Sequence, residues 1–129
     1  GLERVLLVGA GGPSHFVGEP RVGDIDIDFD LWFLRRLEQG CPPDLLDIGN
    51  EELMLAGNGT GEIRAWVTVA GAMSPEAGAP PITTTAVAYE PIHEWINGMG
   101  VAVHEVGDDI TDPAASIFDA DGRHRGGLR

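Results

Sequence analysis

The stretch Val5-Leu6-Leu7-Val8-Gly9-Ala10-Gly11-Gly12-Pro13-Ser14-His15 decides how the chain is read. Four apolar residues in a row, stopped by closely spaced glycines and a proline, form the pattern of a fully buried strand running into a glycine-rich turn. A strand buried on both faces needs helices to cover it, so the expected class is α/β, with this strand central in a sheet. Residues 11–23 are rich in Gly and Pro and read as an ordered loop.

Working outward, Asp30 is an expected helix N-cap. Leu31, Phe33, Leu34 and Leu37 after it make an apolar stripe, while Arg35, Arg36 and Glu38 fall mostly on the other face. Gly40 and Pro42-Pro43 stop this helix. Asn50 begins a short helix running to about Ala56, with Glu51 and Glu52 suited to its first turn. Thr60 caps a third helix, in which Ile63, Trp66, Val67 and Ala70 recur at i, i+3, i+4 and i+7, and which ends near Gly71 or Met73. After a Pro/Gly-rich loop at residues 74–81, Thr83 to Glu90 and Gly100 to Val106 read as strands. Asn97-Gly98 between them suits a turn. Trp66 and Trp95 are expected in the core or at an interface. The predicted organisation is one domain over residues 1–106 and a weakly ordered acidic and basic tail over residues 107–129.

The chain has 129 residues, of which 43% are hydrophobic, enough to bury a core. Its 21 acidic and 8 basic residues give a net charge of −13, which repels phosphate backbones and argues against nucleic acid as a partner. No apolar run approaches the roughly 20 residues needed to span a bilayer, so no membrane partner is expected. The first residues do not form a signal peptide, and Gly1 rather than Met at the start fits a processed, cropped or incomplete product. Cys41 is the single cysteine and cannot form an internal disulfide; it fits a reducing, cytoplasmic setting and reads as an inert thiol.

Three clusters could carry chemistry. The turn Gly9-x-Gly11-Gly12 could present amides to a phosphate. However, Ser14 stands where a dinucleotide fingerprint has its third glycine, Pro13 lacks an amide, and no Walker lysine follows. Asp24, Asp26, Asp28 and Asp30 alternate at period two, so an extended chain would set all four carboxylates on one face. A calcium loop of the EF-hand kind needs Gly and Glu where this run has Phe29 and Arg35, so the run reads as a solvated face leading to a helix cap. The third cluster is Ser14-His15-x-x-x-Glu19-x-Arg21, on a loop at the C-terminal end of the opening strand, where α/β proteins place function. Histidine and glutamate are the ligand types of a non-haem Fe(II) site with two His and one carboxylate. Alternatively, the two residues form a plain hydrogen-bonded pair. His93, His104 and His124 show no metal-ligand spacing, and His104 reads as a strand-face residue. No Gly-x-Ser-x-Gly elbow supports a hydrolase.

The segments Val5 to His15, Gly18-Glu19-Pro20-Arg21-Val22-Gly23 and Asp28-Phe29-Asp30-Leu31, with Asn50 to Trp66 after them, resemble the C-terminal half of class III extradiol ring-cleavage dioxygenases. The nearest type is the catalytic beta subunit of protocatechuate 4,5-dioxygenase. The resemblance covers about residues 4–106. It implies an oxidoreductase of aromatic-compound catabolism that binds a catechol-type substrate and O2 at Fe(II) and cuts the ring beside the hydroxyl pair. It implies Glu19 as the carboxylate ligand, with Ser14, His15 and Arg21 shaping or hydrogen-bonding its surroundings. It also implies that the two iron histidines and the acid-base histidine lie in an earlier half, so no catalytic residue is assigned here. The chain alone is then inactive, either as a fragment of a longer subunit or in need of a companion subunit. It should expose apolar surface that favours an oligomer. The competing expectation is a non-catalytic binding or assembly module of the same fold.

Overall fold

A computed structural model describes residues 5–40, 43–73, 80–107 and 112–126. Cys41, the interior of the loop at residues 74–81 and the ends of the tail therefore lie outside the described residues. The element order is α1 (Ile27–Glu38), α2 (Pro43–Leu46), α3 (Asn50–Ala56), a 3-10 turn (Thr60–Glu62), α4 (Ile63–Ala72), β1 (Ile82–Ile92), a 3-10 turn (His93–Trp95), β2 (Asn97–Val106) and a last 3-10 turn (Pro113–Ala115). β1 and β2 form an antiparallel pair, and the helices pack against it, consistent with an α/β protein.

The core follows the α1 stripe. Phe33, Leu34 and Leu37 are fully buried and join Leu45, Leu53, Ile63, Ala86 and Tyr89 in one cluster. Trp66 meets Phe33 edge-on at 5.8 Å between ring centroids, a favoured aromatic geometry. Removing the Phe33 ring leaves a cavity in this cluster, which its neighbours fill only in part. Phe33→Ala should therefore cost about 4 kcal/mol, read as a shift in urea midpoint at unchanged slope.

Sheet register depends on one extra residue. Ala86 pairs with Ala102 and Ala88 with Val101, so Val87 is a bulge. A strand alternates faces with period two, and the bulge resets that alternation. Ala86 and Tyr89, three apart, can then both face the core. The backbone at the bulge is satisfied from outside the hairpin: the Ala86 amide donates to Glu38 Oε1 at 2.9 Å, and the Ala86 carbonyl accepts from the Ile117 amide at 2.9 Å.

Several expectations are corrected. Val5 to Val8 form no strand, and are 50–87% exposed. A strand needs neighbours for its amides and carbonyls, and neither described strand pairs with this segment. The N-cap of α1 is Asp26, whose side chain accepts from the Phe29 amide at 3.0 Å, so the helix starts inside the acidic run and its period-two face does not form. Asp30, expected at the cap, is fully buried in the first turn instead. Thr60 opens the 3-10 turn without a side-chain capping bond. Asn97 and Gly98 begin β2 opposite Ile92 and Pro91; the chain reverses through His93–Trp95, with Ile96 left-handed. Trp95 is exposed. α2 was not foreseen, and in the tail Phe118 is buried and bridges to His124. Among the described residues no helix is long and apolar enough to cross a membrane.

Candidate active site

Residues 9–17 run over the protein as a loop that is pinned by hydrogen bonds at Gly11, Gly12, Ser14, His15 and Val17. Gly12 donates its amide to Glu62 Oε2 at 2.8 Å, and Trp66 Nε1 donates to the Gly11 carbonyl at 2.9 Å. The Ser14 amide donates to Asp30 Oδ1 at 2.7 Å, while Ser14 Oγ accepts from the Asp26 amide at 2.8 Å. Asn58 clamps Val17 twice, accepting from its amide at 2.7 Å and donating to its carbonyl at 2.8 Å. The amides of Gly12 and Ser14 already serve protein carboxylates, so the glycine turn does not offer them to a phosphate.

The glycines here are points of contact. A Cβ on Gly57 would lie 2.1 Å from the His15 carbonyl oxygen, and one on Gly59 would lie 2.0 Å from His15 Nε2. The Gly59 amide donates to the His15 carbonyl at 3.2 Å. The turn Gly57-Asn58-Gly59 between α3 and α4 thus forms the floor on which His15 rests.

His15 is buried, and its ring is nearly unclaimed. Nδ1 is buried with no hydrogen-bond partner among the described residues. Nε2 lies 3.9 Å from Glu62 Oε1, beyond hydrogen-bond range. A buried polar atom without a partner calls for a physical explanation, and Arg36 Nε, Thr60 Oγ1 and Asn97 Oδ1 share this condition among the described residues; at His15 a carboxylate also stands beside the same ring. The structure therefore brings His15 and Glu62 together, while Ser14 is bonded to Asp26 and Asp30.

Glu19 and Arg21 are placed differently. Glu19 is exposed; its carbonyl accepts from the Val22 amide at 3.0 Å, and no hydrogen bond or ion pair joins it to His15. Arg21 donates from Nε to Asp24 Oδ2 at 3.0 Å and lays its guanidinium 4.0 Å above the Phe16 ring. His104 sits on β2 and shares a 2.8 Å hydrogen bond between Nδ1 and Thr84 Oγ1, as a strand-face residue should; burial lowers its pKa. His93 is exposed, and His124 packs edge-on to Tyr89 and Phe118.

Behind the loop lies a buried carboxylate that sequence reasoning missed. Asp30 accepts from Tyr89 Oη at 2.7 Å as well as from the Ser14 amide. Burial raises its pKa to about 6, although both hydrogen bonds pull the other way. Tyr89 is raised too, first by burial and then by the Asp30 charge. Glu62 was also missed. The alternating glycines of Gly57-Asn58-Gly59-Thr60-Gly61-Glu62 were its available signal, since a chain that spaces glycines so closely is making room for another backbone. Among the described residues, no group of three His, Cys, Asp or Glu side chains could hold a metal ion.

The family model described as the catalytic LigB subunit of aromatic ring-opening dioxygenase matches residues 2–100. The chain is similar to a 2,3-dihydroxyphenylpropionate/2,3-dihydroxicinnamic acid 1,2-dioxygenase of Azotobacter vinelandii, at 34% identity over 97 residues, 74% of this chain and 30% of that protein. It is similar to enzymes of the same description from Pseudomonas putida, 40% identical over 74 residues (57% of this chain, 23% of that one), and Klebsiella pneumoniae, 40% identical over 73 residues (56% and 22%). The chain thus spans less than a third of the length of these relatives. No solved structure matches it. With the family model covering the loop, the Gly57–Gly59 floor and Glu62 together, the chain belongs to the LigB family of aromatic ring-opening dioxygenases.

Proposed function

We propose that this chain supplies one wall of the active site of an extradiol ring-cleaving dioxygenase, acting on a catechol-type ring with Fe(II) and O2. The observation that carries this reading is the buried His15 ring, without a hydrogen-bond partner at Nδ1 among the described residues and 3.9 Å from Glu62 at Nε2. An imidazole not engaged in structure is available to take up or hand over a proton, and a ring hydroxyl is a suitable donor. The relatives' names support a 2,3-dihydroxyphenyl compound with a short carboxylic side chain as the substrate.

The described residues do not by themselves fit a three-donor iron site. The remaining donors in this reading come from polypeptide outside them, either an N-terminal half or a companion subunit, in a cytoplasmic oligomer. Two carboxylates compete for the metal: Glu19 on the resemblance of its Gly-Glu-x-Arg motif, and Glu62 on its place beside His15. Geometry supports Glu62 better.

The test is anaerobic Fe(II) loading of the complete subunit containing this chain, followed by O2 and 2,3-dihydroxyphenylpropionate, recording yellow ring-opened product and O2 uptake. His15→Ala and Glu62→Gln should each lower kcat/KM by about 10²-fold or more, and Glu19→Gln by much less. The reverse order for the two glutamates would assign the metal to Glu19. Absence of product from the complete, iron-loaded subunit would refute the dioxygenase reading and leave a binding or assembly module. The chain alone should give no product.

A further inference from the structure

The His15 ring has no hydrogen bond of its own to aim it among the described residues. Nδ1 lacks a partner there, and Nε2 is beyond hydrogen-bond range of Glu62. Its direction is therefore set by the packing of Gly59 against it and by the backbone on either side. After His15 that backbone is held by the Gly57–Gly59 turn, where the Gly59 amide donates to the His15 carbonyl and Asn58 clamps Val17. Before His15 it is held at Ser14, which is fully buried and bonded at its amide, its hydroxyl and its carbonyl.

Asp30 is the anchor on that side. Its Oδ1 accepts from the Ser14 amide at 2.7 Å. Its Oδ2 accepts from Tyr89 Oη on β1 at 2.7 Å, and lies so close to β2 that a Cβ on Gly98 would sit 2.0 Å away. Each carboxylate oxygen is thus fixed, one to the loop and one to the hairpin. The Gly98 amide, donating to the Ser14 carbonyl at 3.3 Å, ties the same residue to the same hairpin. Asp30 is fully buried behind the loop, so it acts on a substrate only through the loop.

We infer that Asp30 is a positioning residue for proton transfer at His15: its carboxylate, rooted on Tyr89, suspends the loop at Ser14 and so sets where the imidazole stands. This rests on the ring-cleaving reading above, in which His15 takes up or hands over a proton of the substrate. A misplacement of about 1 Å costs on the order of 10²-fold in rate. Leucine at position 30 has a similar shape but leaves the Ser14 amide and the Tyr89 hydroxyl buried without an acceptor, and the loop must shift to recover partners. Asparagine keeps both bonds, because its oxygen accepts from the Ser14 amide and its NH2 group donates to Tyr89 Oη.

Asp30→Leu and Asp30→Asn are compared in the complete iron-loaded subunit containing this chain, with 2,3-dihydroxyphenylpropionate and O2 and with rates normalised to bound iron. Ring-nitrogen resonances of labelled histidine, assigned to His15 by their loss in His15→Ala, are recorded on the metal-free proteins. Asp30→Leu should lower kcat by about 10- to 100-fold and change KM by less than about threefold. It should also shift the His15 ring resonances and raise the solvent isotope effect on kcat, as proton transfer becomes limiting. Asp30→Asn should keep kcat within about threefold of the parent and leave the His15 resonances in place. A merely structural role gives loss of iron or of folded protein, with an unchanged isotope effect in what remains. That result overturns the inference, as does parent kcat with unmoved resonances in Asp30→Leu. Asp30→Asn as impaired as Asp30→Leu also overturns it, because the acceptor is then not what matters. If Asp30→Leu does not fold, Tyr89→Phe decides: it releases Oδ2 alone and should lower kcat by about three- to tenfold with a raised isotope effect, and parent values there overturn the inference. A parent subunit that yields no product, with His15 resonances that move in Asp30→Leu and not in Asp30→Asn, refutes the ring-cleaving reading while the hold of Asp30 on His15 stands.

Discussion

Gly57→Ala should destabilise the chain by about 3 kcal/mol and move His15. The added Cβ meets the His15 carbonyl oxygen at 2.1 Å and its carbonyl carbon at 2.7 Å, and Gly57 has a φ of 141°, where side chains are strained. Neither problem has a cheap remedy, because the obstacle is backbone. The His15 loop is held on both sides of the contact, by Asp30 at Ser14 and by Asn58 at Val17. A urea midpoint measures the loss, and the His15 ring resonances report the displacement. Gly71→Ala is the matched control: this glycine lies within α4 with open space around its Cβ position. Alanine there should stabilise by roughly 0.5–1 kcal/mol, through helix propensity and a less flexible unfolded chain. A Gly57→Ala variant as stable as the parent would mean that the floor under His15 is not in close contact.

Between pH 4 and pH 7 the parent should lose about 2 kcal/mol of stability relative to Asp30→Asn. Asp30 has a folded pKa of about 6 against an ordinary 3.8, so the folded state favours its protonated form. That contribution is complete below pH 3.8 and disappears as pH rises through about 6, where the buried carboxylate ionises without a cation beside it. Asparagine keeps an oxygen for the Ser14 amide and carries no charge, which removes the dependence. The comparison between parent and variant cancels the other acidic groups, which titrate in both. Equal pH slopes for the two proteins would show that Asp30 is ordinary in its ionisation. The surrounding space is tight: a Cβ on Gly98 would lie 2.0 Å from Asp30 Oδ2.

Much of the helical architecture was legible because its causes are local. The stripe of Phe33, Leu34 and Leu37, the Asn50 start and the i, i+3, i+4 spacing of Ile63, Trp66 and Val67 need only a few neighbouring residues to act. The β1–β2 pair was visible in its β-branched runs, although its turn was placed at Asn97-Gly98 instead of His93–Trp95. The segment Val5 to Val8 was misread for the opposite reason: its apolar run states a wish for burial, but a strand exists only where another strand meets it.

At the site, residue types and their order along the chain determined that Ser14 and His15 follow a glycine turn, and the resemblance pointed to ring-opening chemistry. Sequence distance concealed the rest. Asp30 is 16 residues from Ser14, Glu62 is 50 from Gly12, and Tyr89 is 59 from Asp30. By itself, the sequence determined α1, α3 and α4, the hairpin and the loop that bears His15. Only the tertiary structure decided which carboxylate stands beside that histidine and which one is buried behind it, because both depend on backbones packed together at glycines from distant parts of the chain.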